Sequence, residues 1–335
     1  MHAYSPISLP TGAALEKWAT RVMDVILHIG AHRTGTASFQ AYMRSQSEAL
    51  TARKIGFWGP KRTRRCLYDG LVDQNVQIDG GTMTDAGQQR MQRHLSQLAR
   101  QGIETLVVSD ADMMGTVRSN LSSGRLYADA GPRIARLMRA FEGHVTSVVL
   151  SIRSLELYWC SALAHGVSCG HPVPERSALR ELALAPRGWR DVIADVAAAA
   201  PQARISVHPF EAYRGQPELF AARAVEIDAP RSAQRYCLNR SPQLPDLRRA
   251  VAGQGVDGAE LPFGMGRWNP FTTEEHAALR ELYADDMMWL TAGAEGLATL
   301  IEESHQSRAG KTQPSVTHRK GQFDELEERH MARPG

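Results

Sequence analysis

Short apolar runs rich in β-branched residues alternate along this chain with longer stretches of helical periodicity. Val25–Ile29, Lys54–Gly59, Glu104–Ser109, Val145–Ile152 and Arg204–His208 read as strands, the last of them as the final strand, with Val145–Ile152 the longest and most apolar. Pro60 stops the second. Between them, Phe39, Tyr42, Met43 and Leu50 share one helical face, as do Met91, Leu95 and Leu98 in a helix over 84–101. Further helices are expected from Pro132 to Ala140, over 176–185 and 187–200, and from Thr272-Thr273-Glu274-Glu275 to Leu290. Residues 61–80 and 115–131 read as loops. Strands alternating with helices predict an α/β fold in three layers: a central parallel sheet with helices on both faces. Residues 24–302 form this domain. A flexible lead-in (1–23) and a polar tail (303–335) with little periodicity, expected to be disordered, flank it.

The first strand runs straight into a polar turn, Gly30-Ala31-His32-Arg33-Thr34-Gly35-Thr36-Ala37, and then into a helix. That arrangement collects unsatisfied backbone N–H groups and the positive end of a helix dipole at one point, which suits a phosphate. The glycine spacing is that of a nucleotide P-loop. Thr36, however, stands where its lysine would be, and Ala37 where its Mg²⁺-binding hydroxyl would be. The cradle remains without the γ-phosphate machinery, so the expected fold is P-loop-like. The basic residue inside the turn is Arg33.

Composition narrows the partners. The 335 residues are 43% hydrophobic with a net charge of +3, enough for one substantial core and too little charge for a general nucleic-acid binder. The run Lys61-Arg62-Thr63-Arg64-Arg65 is a local exception, read as a solvated loop or as an attractor of an anionic ligand. Cys66, Cys160, Cys169 and Cys237 follow no disulfide or zinc spacing, and a turn separates His28 from His32, so no metal site is expected. No signal peptide or membrane-spanning stretch is evident, and a reducing cytoplasm is the expected compartment.

His32-Arg33-Thr34-Gly35-Thr36-Ala37-Ser38 resembles the 5′-phosphosulfate loop of sulfotransferases, whose usual form is a basic residue, Ser or Thr, then Gly-Thr and a second hydroxyl residue. Arg33 departs from the lysine of most members, and Ala37 from the second hydroxyl. The resemblance extends over residues 24–290. It implies 3′-phosphoadenosine 5′-phosphosulfate (PAPS) as donor, 3′,5′-adenosine bisphosphate as product, and donor binding by Arg33, Thr34, Gly35, Thr36, Ala37 and Ser38. A second signature lies after the fourth strand. Arg153 follows it directly, and Ser161 stands eight residues on in the next helix, a pair that in the family grips the donor's 3′-phosphate. Phe210-Glu211 matches a pair common at that place in related proteins.

Sulfuryl transfer needs donors aimed at the leaving oxygen and a base for the acceptor's proton. The resemblance gives the first task to Arg33. For the second it points to Asp110, which stands where many members carry a histidine, with Asp112 and His32 in reserve; helix capping is the structural alternative for Asp110. The implied acceptor is a hydroxyl or amine on a small molecule, lipid or glycan, with no metal, no nucleic acid and no stable membrane insertion. A P-loop kinase or hydrolase, and a binding protein of the same fold without catalysis, are the competing readings. Neither the acceptor nor the oligomeric state is legible.

Overall fold

Alternation along the first strand decides which side each residue faces. In β1 (Asp24–Gly30), Val25, Leu27 and Ile29 are fully buried in one core, while Ile26 packs into a second core on the opposite face. The computed structural model describes residues 23–64, 82–185, 187–228, 230–232, 234–253 and 261–302. The expected lead-in, apart from Met23, and the expected tail lie outside the described residues, as do Arg65 and Cys66.

After β1 come α1 (Thr36–Ser45), α2 (Ser47–Ala52), β2 (Ile55–Trp58), the helical turn α3 (Pro60–Arg62) and α4 (Thr82–Arg100). Next are β3 (Thr105–Ser109), α5 (Val117–Ser123), α6 (Ala130–Ala140), β4 (Val145–Ile152), α7 (Leu155–Ser168), α8 (Arg176–Ala183) and α9 (Trp189–Ala199). The chain continues through β5 (Arg204–Pro209), α10 (Phe210–Tyr213), α11 (Pro217–Ala224), α12 (Leu244–Gly253), α13 (Thr273–Thr291) and β6 (Thr299–Leu300). The six strands form one all-parallel sheet in the order β2-β3-β1-β4-β5-β6.

Helices cover both faces, giving the three layers. Val25, Leu27 and Ile29 share the larger core with residues of α4, α6, α7 and α9; residues of α1, α2, α10 and α11 form the other with Val107 and Val149. The chain leaves β1 towards β2, returns to pair β3 beside β1, and then crosses to β4 on the other side. The strand order therefore reverses at β1, and the crevice outside its carboxyl end is where an open sheet of this kind holds a ligand.

Four local expectations change. Lys61 and Arg62, expected in a loop, lie in the helical turn α3, whose first position is Pro60. Residues 115–131 are not all loop: α5 forms there, because the Thr116 hydroxyl accepts from Ser119 N–H while the Ser119 hydroxyl accepts from Thr116 N–H, a reciprocal cap that offsets a helix-poor sequence. Arg204–Pro209 is not the last strand, since Thr299–Leu300 pairs beside it at the sheet's edge. The first helix breaks at Gln46 into α1 and α2.

Candidate functional site

The turn after β1 is held open by its own sequence. Gly30 sits at φ 92°, and a Cβ there would lie 3.1 Å from the Ala111 Cα. Gly35 sits at φ 80°, and its Cβ would lie 3.1 Å from the Phe210 ring. Arg33 also takes a left-handed conformation, at φ 62°, which is uncommon outside glycine and characteristic of constrained functional loops. The hydroxyls of Thr34 and Thr36 both donate to the Ala31 carbonyl, at 2.7 and 3.1 Å, and Ala31 N–H donates to the Ser151 carbonyl at the end of β4. These bonds fix the turn from within. Among the described residues, no acceptor takes the backbone N–H groups from Arg33 to Ala37. They are the unsatisfied amides of a helix start, together with the positive end of α1.

Around this turn lies a cavity of about 920 Å³. Thr34, Gly35, Thr36, Ala37 and Ser38 line it, together with seven arginines: Arg33, Arg64, Arg118, Arg153, Arg214, Arg240 and Arg267. Asp112 is the one carboxylate among the described lining residues. A wall so composed attracts a polyanion.

Arg33 joins the turn to the segment after β4. Its Nε donates to Ser161 Oγ at 2.8 Å and its Nη2 reaches Ser241 Oγ at 3.4 Å, while its carbonyl accepts from Arg153 Nη1 at 3.1 Å. Ser161 and Ser241 are themselves hydrogen-bonded. Arg33 thus holds Ser161 and Ser241 with its side chain and Arg153 with its carbonyl. Arg153 leaves the buried β4, lies over the Phe210 ring at 5.3 Å, and has Glu211 Oε1 3.9 Å from its Nε. The Trp189 indole N–H donates to its carbonyl at 2.7 Å. Burial lowers the Arg153 guanidinium to about 10, against the favourable charge of Glu211, with Arg267 and Arg33 adding to the fall. Burial lowers Arg33 likewise, opposed by Cys169 and Tyr158. An anion placed between them would relieve both.

Asp110 and Asp112 have different places. Asp110 caps the short turn after β3: its Oδ1 accepts from Asp112 N–H at 3.1 Å. The Asp110 carboxylate is fully buried and does not line the cavity. It accepts from the Thr63 hydroxyl at 2.7 Å and from Arg64 through Nη2 at 2.7 Å and Nε at 3.1 Å. Asp112 does line the cavity. Its Oδ1 accepts from His32 Nε2–H and its Oδ2 lies 2.9 Å from Arg64 Nη2. Burial alone would raise the Asp112 carboxyl; the hydrogen bond and charge of His32, with Arg64 and Arg133, outweigh it and hold the group below its ordinary value. His32 is pinned at its other nitrogen, Nδ1, 2.8 Å from the Tyr127 hydroxyl, which also accepts from the His32 backbone N–H.

The turn residues, Arg153, Ser161, His32 and Asp112 are therefore brought together, and Asp110 stands behind them as a brace. Ser38 lines the cavity while its hydroxyl accepts from Leu238 N–H at 3.0 Å, which draws the segment 236–243 over the start of α1. Arg240, Ser241 and Arg267 come from this C-terminal part, and no spacing in the sequence pointed to them. Arg64 belongs to the basic run noted above. Tyr127 left no signal, because a buried tyrosine reads as core.

No protein-family model matches the chain, and no curated protein matches it significantly.

Proposed function

We propose that the protein transfers a sulfuryl group from PAPS to a hydroxyl or amine acceptor. The observation that carries the reading is the convergence of the free N–H groups of residues 33–37 with Arg33, Arg153, Ser161 and Ser241 in one cationic cavity at the carboxyl end of β1. PAPS carries anionic groups at both ends, and two separate anion-binding elements meet that need. The turn's amides would take the 5′-phosphosulfate, and Arg153 with Ser161 the 3′-phosphate. An ATP-hydrolysing reading is less well supported, since Thr36 and Ala37 replace the lysine and the metal-binding hydroxyl, and the Thr36 hydroxyl is spent on Ala31.

In the transfer, the bond from sulfur to the donor's phosphate oxygen breaks and a bond from sulfur to the acceptor oxygen or nitrogen forms. The loop amides and Arg33 receive the charge left on the phosphate. The proton leaves the acceptor for a base, and Asp112 is assigned that role. Its lowered pKa keeps it ionised at neutral pH, and His32 and Arg64 fix its orientation.

The test is a thermal-shift comparison of 3′,5′-adenosine bisphosphate with AMP and ATP. A ligand that binds only the folded form raises its melting point. The bisphosphate should give the largest shift, and Ser161→Ala with Arg153→Ala should bring it down to that of AMP. Equal shifts for AMP and the bisphosphate would remove the 3′-phosphate assignment. Binding without transfer to any hydroxyl or amine acceptor would favour a non-catalytic protein.

A further inference from the structure

Tyr127, in the turn between α5 and α6, holds a left-handed backbone at φ 45°, which an aromatic residue rarely adopts. Such a conformation persists where the surroundings over-determine it. Here they do. Tyr127 N–H donates to Asn120 Oδ1 at 3.0 Å, and its carbonyl accepts from Arg187 Nη2 at 3.0 Å and from Ala130 N–H at 3.1 Å. Arg187 is itself paired with Asp195. The ring is buried beside Tyr158 and Trp189 and stacks on the His32 imidazole, with centroids 5.9 Å apart and planes 15° apart. His32 lines the cavity; Tyr127 does not.

The polarity of the hydrogen bonds in this cluster is fixed from one end. A backbone N–H occupies Asn120 Oδ1, so the Asn120 amide presents its NH2 group to the Tyr158 hydroxyl, 2.7 Å away. Among the described residues the Tyr158 hydroxyl has one other hydrogen-bond partner, the Tyr127 hydroxyl, and its own proton goes there. The Tyr127 hydroxyl then accepts from Tyr158 and from the His32 backbone N–H, at 2.8 Å, and its single proton is left for His32 Nδ1, also at 2.8 Å. A neutral imidazole that accepts at Nδ1 carries its proton at Nε2, which faces Asp112 Oδ1 at 2.8 Å. The reverse order would leave the buried Tyr158 proton without an acceptor. Burial raises Tyr127 well above its ordinary value and Tyr158 to about 12, so both keep their protons.

We propose that Tyr127, backed by Tyr158 and Asn120, is a positioning residue that holds neutral His32 as its Nε2–H tautomer and so makes it a standing donor to Asp112. Both ring nitrogens are then committed, and His32 is removed as an alternative base. Other groups face the His32–Asp112 pair without replacing Tyr127. Arg64, from beyond β2, pairs with Asp112 Oδ2, and Asp110 accepts from Asp112 N–H. Arg133 of α6 donates to the Asp112 carbonyl at 2.7 Å, and the charge of His32 reaches His165 of α7. Among the described residues, Tyr127 alone hydrogen-bonds His32 Nδ1. The consequence for Asp112 as a base rests on the sulfuryl-transfer reading; the tautomer does not.

The experiment is nitrogen–proton correlation NMR of the full chain with isotope-labelled histidine, His32 being identified by its loss in His32→Gln. At neutral pH the wild-type ring should show a protonated Nε2 and an unprotonated Nδ1. Asp112 also favours a proton at Nε2, so the decisive comparison removes it. Asp112→Ala should keep the tautomer, and adding Tyr127→Phe should average the two nitrogen shifts. A proton on Nδ1 in wild type, a ring that already interconverts in Asp112→Ala, or a double variant with the spectrum of Asp112→Ala would each overturn the proposal. If the double variant fails to fold, the first two spectra still decide. Tyr127→Phe alone should keep its stabilisation by 3′,5′-adenosine bisphosphate, while turnover falls about ten- to a hundredfold, the worth of a hydrogen bond to a charged group. Its acid limb should move up towards the ordinary carboxylate range, because a loosened His32 donates less firmly to Asp112. Unchanged turnover and limb would overturn the positioning role. A wild type without turnover whose spectra come out as stated upholds the tautomer and removes the sulfuryl-transfer reading.

Discussion

Two residues separate Asp110 from Asp112, and the difference between their surroundings assigns them opposite tasks. Asp110 is shut away under Arg64 and Thr63, whereas Asp112 faces the cavity with its orientation set by His32. Asp110→Asn should therefore lose folding stability, by about 1–3 kcal/mol for a buried, charge-assisted pair, and keep donor affinity. Asp112→Asn should fold and bind 3′,5′-adenosine bisphosphate while transfer falls by about two to four orders of magnitude, the usual yield of a general base. The acid limb of turnover should lie below the ordinary carboxylate range, because His32 and Arg64 hold Asp112 down against its burial. A normal rate for Asp112→Asn, or a limb near neutrality, would move the base elsewhere. Arg33 has two duties, since its side chain lies with Ser161 and Ser241 and its backbone carries Arg153. Arg33→Ala should weaken bisphosphate binding by about tenfold or more, the worth of a hydrogen bond to a charged group, besides slowing transfer. Titration calorimetry beside turnover separates the two losses.

At the scale of elements, the site depends on helices arriving in register. Asp286 of α13 accepts from the backbone N–H groups of Trp189 at 2.7 Å and Arg190 at 3.1 Å, capping α9 from another helix. Trp189 in turn holds the Arg153 carbonyl. Asp286→Ala should cost about 0.5–2 kcal/mol as a lost cap and also weaken bisphosphate binding through Trp189 and Arg153. Unchanged affinity in a variant of lowered melting temperature would confine Asp286 to stability. None of this coupling was legible in the sequence, where Asp286 is one of two adjacent acids in a helix. What was legible is what local pattern encodes. The buried strands follow from β-branched runs, the turn after β1 from its glycines, and α13 from Thr272 and Glu275, which do form a reciprocal cap. The sequence motif put Arg153 and Ser161 near the turn; in the structure both line its cavity, Arg153 bonded to the Arg33 carbonyl and Ser161 to the Arg33 side chain. Contacts between distant segments were not legible. Ser241 approaches Ser161 only because the chain folds back over α1, and the burial of Asp110 depends on Arg64 reaching across from beyond β2. Pattern along the chain carries no information about such encounters.

For the whole molecule, the sheet carries a sensitivity to acid. His28, towards the end of β1, lies beside Phe39 and Phe220 with its Nδ1 hydrogen-bonded to Ser109 Oγ, and His208, next to last in β5, lies against Tyr213 and Phe220. Among the described residues, nothing hydrogen-bonds the buried His28 Nε2 and His208 Nδ1. Burial, with the charge of His208 as a smaller cause, lowers His28 to about 3, and burial lowers His208 to about 4. In the unfolded chain both titrate near 6.5. As pH falls below that value the unfolded chain takes up protons that the folded state refuses, so stability falls through the window from 6.5 down to about 4 and 3. Asp286 acts in the other direction. Burial, against its two backbone hydrogen bonds, raises it from 3.8 to about 6, so within that window the folded state holds the extra proton and gains as pH falls. Two histidines oppose this one carboxylate, and each is displaced over a wider interval. The histidines should therefore prevail: the urea midpoint should decline from pH 6.5 to pH 4. His28→Gln with His208→Gln should flatten that decline, leaving His94 and His165, lowered by burial, against Asp286 and Glu211, raised by burial. Asp286→Asn should steepen it. A midpoint constant over the window in wild type, or a double variant that declines in parallel with it, would show that the buried imidazoles do not govern acid stability.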